Sequence, residues 1–147
     1  MAKKAVSKKA ESAPLKGGVE LFDVKSTSDA GIKVKLFTPN GDETEHWLTV
    51  LGADSDVFAQ AESDALKKQI EATRRLEASP KLLADANRKI SRDMVAKLVR
   101  SWSLTETAGE CNTENVSKFF TKAPQIYEQV NSVAGNRKNF FTTPSMD

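Results

Sequence analysis

His46 and Cys111 are the residues best suited to nucleophilic or metal chemistry, because this 147-residue chain holds one histidine and one cysteine. A catalytic Cys–His pair would have to join them from distant parts of the chain. The sequence around Cys111 has no glycine-rich loop that could stabilise an oxyanion. A zinc site would need further His or Cys ligands. We therefore expect no catalytic residues, no metal site and no cofactor, and predict that the protein is not an enzyme.

The carboxylates in the middle of the sequence do not form an acid–base couple. They alternate with lysine and arginine along a predicted helix: Glu62, Asp64, Glu71 and Glu77. Interleaved charges of this kind are typical of a solvated helix face. Gly17-Gly18 is not followed by a Lys-Ser/Thr pair at the spacing of a phosphate-binding loop. These residues therefore predict a charged surface.

The positive charge of the chain is concentrated in its first residues. The net charge is +2 at pH 7, and the first 17 residues hold five lysines against one glutamate. Because this segment has little apolar surface to bury, we predict that residues 1–18 form a disordered basic arm. Nucleic acid bound through this arm is an alternative that the mildly acidic remainder disfavours, since duplex-binding domains usually present clustered Lys and Arg.

No membrane partner is expected, because the chain contains no run of about 18 apolar residues. The N-terminal lysines are not followed by the apolar region of a secretory signal before Pro14. A lone cysteine fits a reducing cytoplasm. We therefore expect a cytoplasmic protein.

Residues 19–53 are predicted to form a small antiparallel β-sheet module. Apolar residues recur in Val19–Val24, and Ile32–Phe37 alternates strictly between apolar and mostly lysine positions. A turn at Pro39-Asn40-Gly41-Asp42 leads into a third predicted strand at Glu45–Leu51. Three short strands with one apolar face need helices to pack on.

Residues 54–135 are predicted to form a helical domain, followed by a C-terminal tail at 136–147. Ser55 is a good N-cap for a helix to about Ala78, and Ser79-Pro80 begins a second helix whose apolar stripe continues to Trp102. Two shorter helices follow, one beginning near Thr113 and one at Pro124. The predicted fold class is α+β, mainly α, with a small N-terminal antiparallel sheet followed by a bundle of about four helices.

Apolar spacing along these helices predicts the structural core. Its expected members are Phe58, Ile70, Ile90, Met94, Leu98, Trp102, Phe119, Ile126 and Val130.

Aromatic residues are concentrated in the last third of the chain, in excess of what the short helices need for packing. Such surplus aromatic side chains are typical of a groove that receives an amphipathic partner segment. The predicted partner-binding residues are Phe120, Tyr127, Phe140 and Phe141.

The sequence resembles the tail assembly chaperones of long-tailed, siphovirus-type bacteriophages over about Val19 to Phe141. The strand-to-helix junction Leu48–Phe58 is similar to that of the family, and four later runs stand in the family's order. These runs are Trp102-Ser103-Leu104, residues 110–116, residues 124–130 and Asn139-Phe140-Phe141.

The resemblance implies a largely helical, non-catalytic late protein. Such chaperones bind and solubilise the tape measure protein while the tail tube protein polymerises around it, and a frameshifted longer form commonly recruits the tube protein. The implied location is the host cell cytoplasm, with the protein absent from the mature virion. The sequence leaves homo-oligomerisation open. A structural virion protein, such as a tail completion or head–tail connector protein, is the other alternative.

Overall fold

Three antiparallel strands form one sheet, with the order β1-β2-β3, in the computed structural model, which describes residues 13–141. Strand β1 is Ile32–Phe37, β2 is Glu43–Val50 and β3 is Val99–Trp102. In the ladder, Val34 lies opposite Leu48, and Leu48 lies opposite Trp102. The predicted alternation of β1 is confirmed, because Val34 and Leu36 are buried while the lysines between them are exposed.

The prediction of an N-terminal sheet followed by about four helices is wrong. The third strand comes from Val99–Trp102, after two long helices, and residues 13–141 contain six helices. The predicted strand at Val19–Val24 is not formed, and Val19–Leu21 is an exposed 3-10 turn. The Glu20 carboxylate accepts a hydrogen bond from the backbone of Gly18 (3.0 Å). Such local side-chain bonds favour turns over strands.

Six helices surround or extend from the sheet in the described range. They are α1 Lys25–Ala30, α2 Asp56–Leu76, α3 Pro80–Ala96, α4 Thr105–Ala108, α5 Thr113–Lys122 and α6 Pro124–Gly135, and a 3-10 turn follows at Arg137–Phe140. None of these helices, within residues 13–141, has both the length and the hydropathy of a transmembrane span.

The helix starts follow the sequence signals. The side chain of Ser55 caps α2 by accepting a hydrogen bond from the backbone N–H three residues later (3.1 Å). Asn112 caps α5 in the same way (2.8 Å). Pro80 and Pro124 stand at the first turns of α3 and α6, where a missing N–H costs nothing. These predicted helix starts are confirmed.

The helix predicted to continue to Trp102 ends at Ala96. Val, Ser and Trp all have weak helix propensity, so Val99–Trp102 gains little from staying helical. As a strand, the same segment pairs with the open edge of β2 and converts a marginal two-stranded ribbon into a three-stranded sheet. The indole N–H of Trp102 then donates to the carbonyl of Gly109 (3.0 Å).

One apolar cluster joins the sheet to the later helices. Helix α6 packs on the sheet, α3 packs on α5 and α6, and α2 packs on α3. The cluster includes Val34, Leu36, Leu48, Val50, Val95, Leu98, Trp102, Val116, Phe120, Ile126 and Val130. Helix α2 adds no fully buried residue to this cluster, although Phe58 packs against it, and α2 faces α3 with small buried residues, Ala61, Ala65 and Ala72.

The structure describes only part of each of the two predicted terminal segments. Residues 1–12 of the predicted basic arm and residues 142–147 of the predicted tail lie outside the described residues. In the rest of the predicted tail, Phe140 is buried. Arg137 donates two hydrogen bonds to the carboxylate of Asp54 (2.9 and 3.0 Å), which lowers the pKa of that carboxyl. The turn at Arg137–Phe140 is therefore fixed against the loop between β2 and α2.

Replacing Trp102 with alanine should lower the free energy of unfolding by roughly 3–5 kcal/mol, because a buried indole and its hydrogen bond are lost. Urea denaturation followed by circular dichroism measures this. Trp47→Ala is the matched control, because Trp47 is half-buried on the outer face of the sheet, beneath Lys33. A loss for Trp102→Ala no larger than for Trp47→Ala would contradict the packing described here.

Candidate functional site

His46 lies beside Ser103, a partner that sequence reasoning did not identify. Its Nδ1 atom is 3.1 Å from the Ser103 hydroxyl. That hydroxyl accepts a hydrogen bond from the backbone N–H of Trp47 (2.9 Å), and the Ser103 N–H donates to the Trp47 carbonyl (3.2 Å). Ser103 thus continues the pairing of β2 with β3 beyond Trp102. This bonding gives the His46–Ser103 contact a role in the sheet.

Cys111 is half-buried, and its thiol contacts the carbonyl of Val99 (3.6 Å). Burial raises the pKa of the Cys111 thiol above its ordinary value. Because the thiolate is the reactive form, this thiol is a weak nucleophile at neutral pH. Within residues 13–141, no group of three His, Cys, Asp or Glu side chains is arranged to hold a metal ion.

The aromatic side chains of the last third form a connected series across three elements. Trp102 contacts Phe119 edge-on at 6.0 Å between ring centroids, and Phe120 contacts Tyr127 in the same manner at 5.7 Å. Phe119 and Phe120 link the two pairs at 6.4 Å. Edge-to-face pairs each add roughly 0.5–1.5 kcal/mol beyond burial. The series therefore holds β3, α5 and α6 together.

Two of the predicted partner-binding residues are wrong for this structure. Phe120 and Phe140 are each only 1% exposed. Phe120 lies one helical turn after buried Val116, a spacing that allows it to face the core. Phe140 packs against Gly52, where an added Cβ would lie 3.2 Å from its ring. Tyr127 and Phe141 are partly exposed, so their predicted role stays a prediction.

The predicted core is confirmed in part. Leu98, Trp102, Ile126 and Val130 are buried. Phe58, Ile90, Met94 and Phe119 are only partly buried. Ile70 is wrong as a core residue, because it is 53% exposed on the side of α2 that faces away from α3. Alanines make the buried side of α2, whereas Leu66 and Ile70 remain outside.

A groove of about 540 Å³ lies between α4 and α5. Its apolar floor is formed by Leu104, Ala108 and Phe119, and its rim carries Lys118 and Lys122. The remaining lining residues are Thr107, Asn115 and Thr121. Its volume falls within the range of about 300–1,000 Å³ that is usual for ligand pockets. The sequence does not predict the groove, because it indicates no helix between Trp102 and Thr113, where α4 lies.

A second apolar surface lies on α2. Leu66 and Ile70 are 57% and 53% exposed, and they are one helical turn apart on the same face. Isolated exposed leucines are common, whereas adjacent large apolar residues form a patch. We call Leu66 and Ile70 the α2 stripe. A further exposed apolar residue, Leu82, lies at the start of α3.

A half-buried carboxylate joins α3 to α5. Asp93 accepts hydrogen bonds from the Ser117 hydroxyl (2.6 Å) and the Lys89 ammonium (2.9 Å). Burial by itself raises the pKa of Asp93, but these two partners outweigh it, so the pKa lies below its ordinary value. The ionised carboxylate therefore stabilises the folded state.

No family model matches the chain, and no curated protein or solved structure matches it. The likeness to tail assembly chaperones therefore stays a prediction from the sequence.

Replacing Asp93 with asparagine should lower stability at neutral pH and have little effect in acid. Because the folded pKa of Asp93 is lowered, its contribution is complete above the unfolded pKa of about 3.9 and is lost as the pH falls through the folded pKa. Melting temperatures between pH 7 and pH 2 measure the difference. Glu114→Gln is the control, because Glu114 is mostly exposed. A deficit for Asp93→Asn that is equal at pH 7 and pH 2 would contradict this account.

Proposed function

We propose that this protein is a tail assembly chaperone that binds the tape measure protein of a long-tailed phage and keeps it soluble while tail tube protein polymerises around it. The observation that carries the proposal is the α2 stripe, two large apolar side chains left more than half uncovered on one helix face. The sequence likeness described above gives the client its identity. In this proposal the protein acts in the host cytoplasm and leaves before the particle is complete.

Burying the α2 stripe gives a modest free energy per copy. Complete burial of a Leu or Ile side chain contributes about 1.5–3 kcal/mol, and roughly half of that remains available here. Two such side chains give weak affinity for a single segment of client. A long helical client with many similar segments binds many copies, so the total affinity is high while each copy stays exchangeable. Exchange is needed because tube subunits must displace the chaperone.

The way α2 is held supports a binding role. Its buried side is made of alanines that contact α3, and it adds no fully buried residue to the main apolar cluster. Small residues form a smooth interface with little interlocking. The contact of α2 with α3 therefore uses its small side chains, and its large side chains Leu66 and Ile70 remain available to a client.

The proposal predicts that co-expression with the tape measure protein raises the soluble fraction of that protein several-fold and gives a complex on size-exclusion chromatography. Leu66→Gln/Ile70→Gln should lose most of this effect, because the apolar contact is removed while glutamine preserves the helix. Lys67→Gln/Glu71→Gln is the matched control on exposed positions of the same helix and leaves the net charge unchanged. Circular dichroism should show all three proteins folded.

Three results would overturn parts of the proposal. A tape measure protein that stays insoluble, with no complex, excludes the chaperone function. An active Leu66→Gln/Ile70→Gln variant excludes the α2 stripe as the binding surface. Detection of the protein by mass spectrometry in purified, finished particles would favour a structural virion protein instead.

A further inference from the structure

The groove between α4 and α5 continues into two further depressions around α5. One of about 510 Å³ is lined by Arg88 and Arg92 of α3 together with Tyr127, and another of about 510 Å³ is lined by Lys89, Arg92 and Lys118. All three depressions share Thr121. We call the residues lining them the α5 surface. The α5 surface therefore consists of three depressions that adjoin one another around a single helix.

The α5 surface is positively charged, whereas the described chain as a whole is balanced. Residues 13–141 contain eighteen Lys or Arg and eighteen Asp or Glu. The α5 surface contains five basic side chains, Arg88, Lys89, Arg92, Lys118 and Lys122, against two carboxylates, Asp93 and Glu114. Asp85 lies beside it and forms an ion pair with Arg88. An excess of two positive charges remains after Asp85 is included.

Three basic side chains of the α5 surface can form ion pairs with a partner. Lys118 forms an ion pair with Glu114 (3.3 Å) in which both side chains are mostly exposed, and such pairs contribute little and exchange easily. Within residues 13–141, Lys122 and Arg92 lie within 4.0 Å of no carboxylate. A bound carboxylate would therefore gain contacts without breaking strong ones.

The shape of the α5 surface fits a helix. Its walls are helices, so an extended peptide would find no open strand edge to pair with there. A helix satisfies its own backbone hydrogen bonds and presents apolar residues every three or four positions, which suits a groove with an apolar floor. Phosphate would also be attracted by the rim, but the floor of Leu104, Ala108 and Phe119 favours aliphatic side chains.

We propose that the α5 surface binds an acidic amphipathic helix of another polypeptide, with its aliphatic side chains on Leu104, Ala108 and Phe119 and its carboxylates beside Lys118, Lys122 and Arg92. This inference rests on the proposed function, because it adds to the apolar contact of the α2 stripe a second contact with the client, through an acidic segment on the α5 surface.

Two synthetic helical peptides of about 20 residues, which span about 30 Å, test the inference by calorimetric titration of the full chain. Both carry leucines at the same helical spacing, and their polar faces are glutamate in one and lysine in the other. The glutamate peptide should bind at least about tenfold more tightly, with an affinity that falls as salt is raised.

Charge reversal identifies the surface. Lys118→Glu/Lys122→Glu should reverse the preference between the two peptides. Lys16→Glu/Lys138→Glu makes the same change in net charge on exposed positions outside both the α2 stripe and the α5 surface, and should leave the preference unchanged. In amide chemical-shift mapping, the largest changes should fall within residues 104–108 and 118–122.

Four kinds of result would overturn the inference, and a fifth would overturn the proposed function instead. Equal binding of the two peptides, or none, excludes the charge preference even when co-expression still solubilises the client. Largest shifts on α2 exclude the location. Tighter binding of a single-stranded oligonucleotide identifies a nucleic-acid surface, and conversion of a dimer to a monomer by Lys118→Glu/Lys122→Glu identifies a second copy as the occupant. Binding of the glutamate peptide without any effect on the tape measure protein overturns the proposed function alone.

Discussion

The pairing of β2 with β3 is the interaction on which the rest of the structure depends. It brings Val99–Trp102 back to a strand that ends at Val50, and it places Trp102 under Phe119. Ser103 extends the same pairing toward His46. Without this pairing, β1 and β2 would form a two-stranded ribbon, which is at best marginally stable alone. Helix α4, which follows β3 directly, would then lose its position beside α5, and the groove between them would not exist.

The sequence predicts those parts of the fold that local chemistry determines. Strand β1 follows from strict alternation, and the starts of α2, α3, α5 and α6 follow from their caps and prolines. Val99–Trp102 could not be assigned in this way, because Trp102 continues the helical spacing of the apolar stripe of α3. Its state depends on the open edge of β2, a partner distant in sequence. The strand predicted at Val19–Val24 failed for a local reason, because the Glu20 carboxylate bonds to the Gly18 backbone and favours a turn.

The candidate surfaces, like the fold, could be predicted from the sequence only in part. Adjacent phenylalanines on a helix point about 100° apart, and both Phe119 and Phe120 lie one turn after Val116, so the spacing does not decide which is buried more deeply. On α2, alanines make the buried side while Leu66 and Ile70 stay outside, which inverts the usual rule that the largest apolar residues mark the core. The balance of charge over the described chain conceals the excess around α5, because that excess appears only when α3 and α5 are brought together.

The insertion of α2 and α3 between two neighbouring strands has a consequence during synthesis on the ribosome. The edge of β2 that later pairs with β3 stays unpaired until residues 99–102 have been synthesised. This takes several seconds at about 5–20 residues per second. Unpaired edges promote aggregation. The α2–α3 pair consists of contacts close in sequence and forms quickly, so it holds the nascent strands near one another and shortens the search for the final pairing.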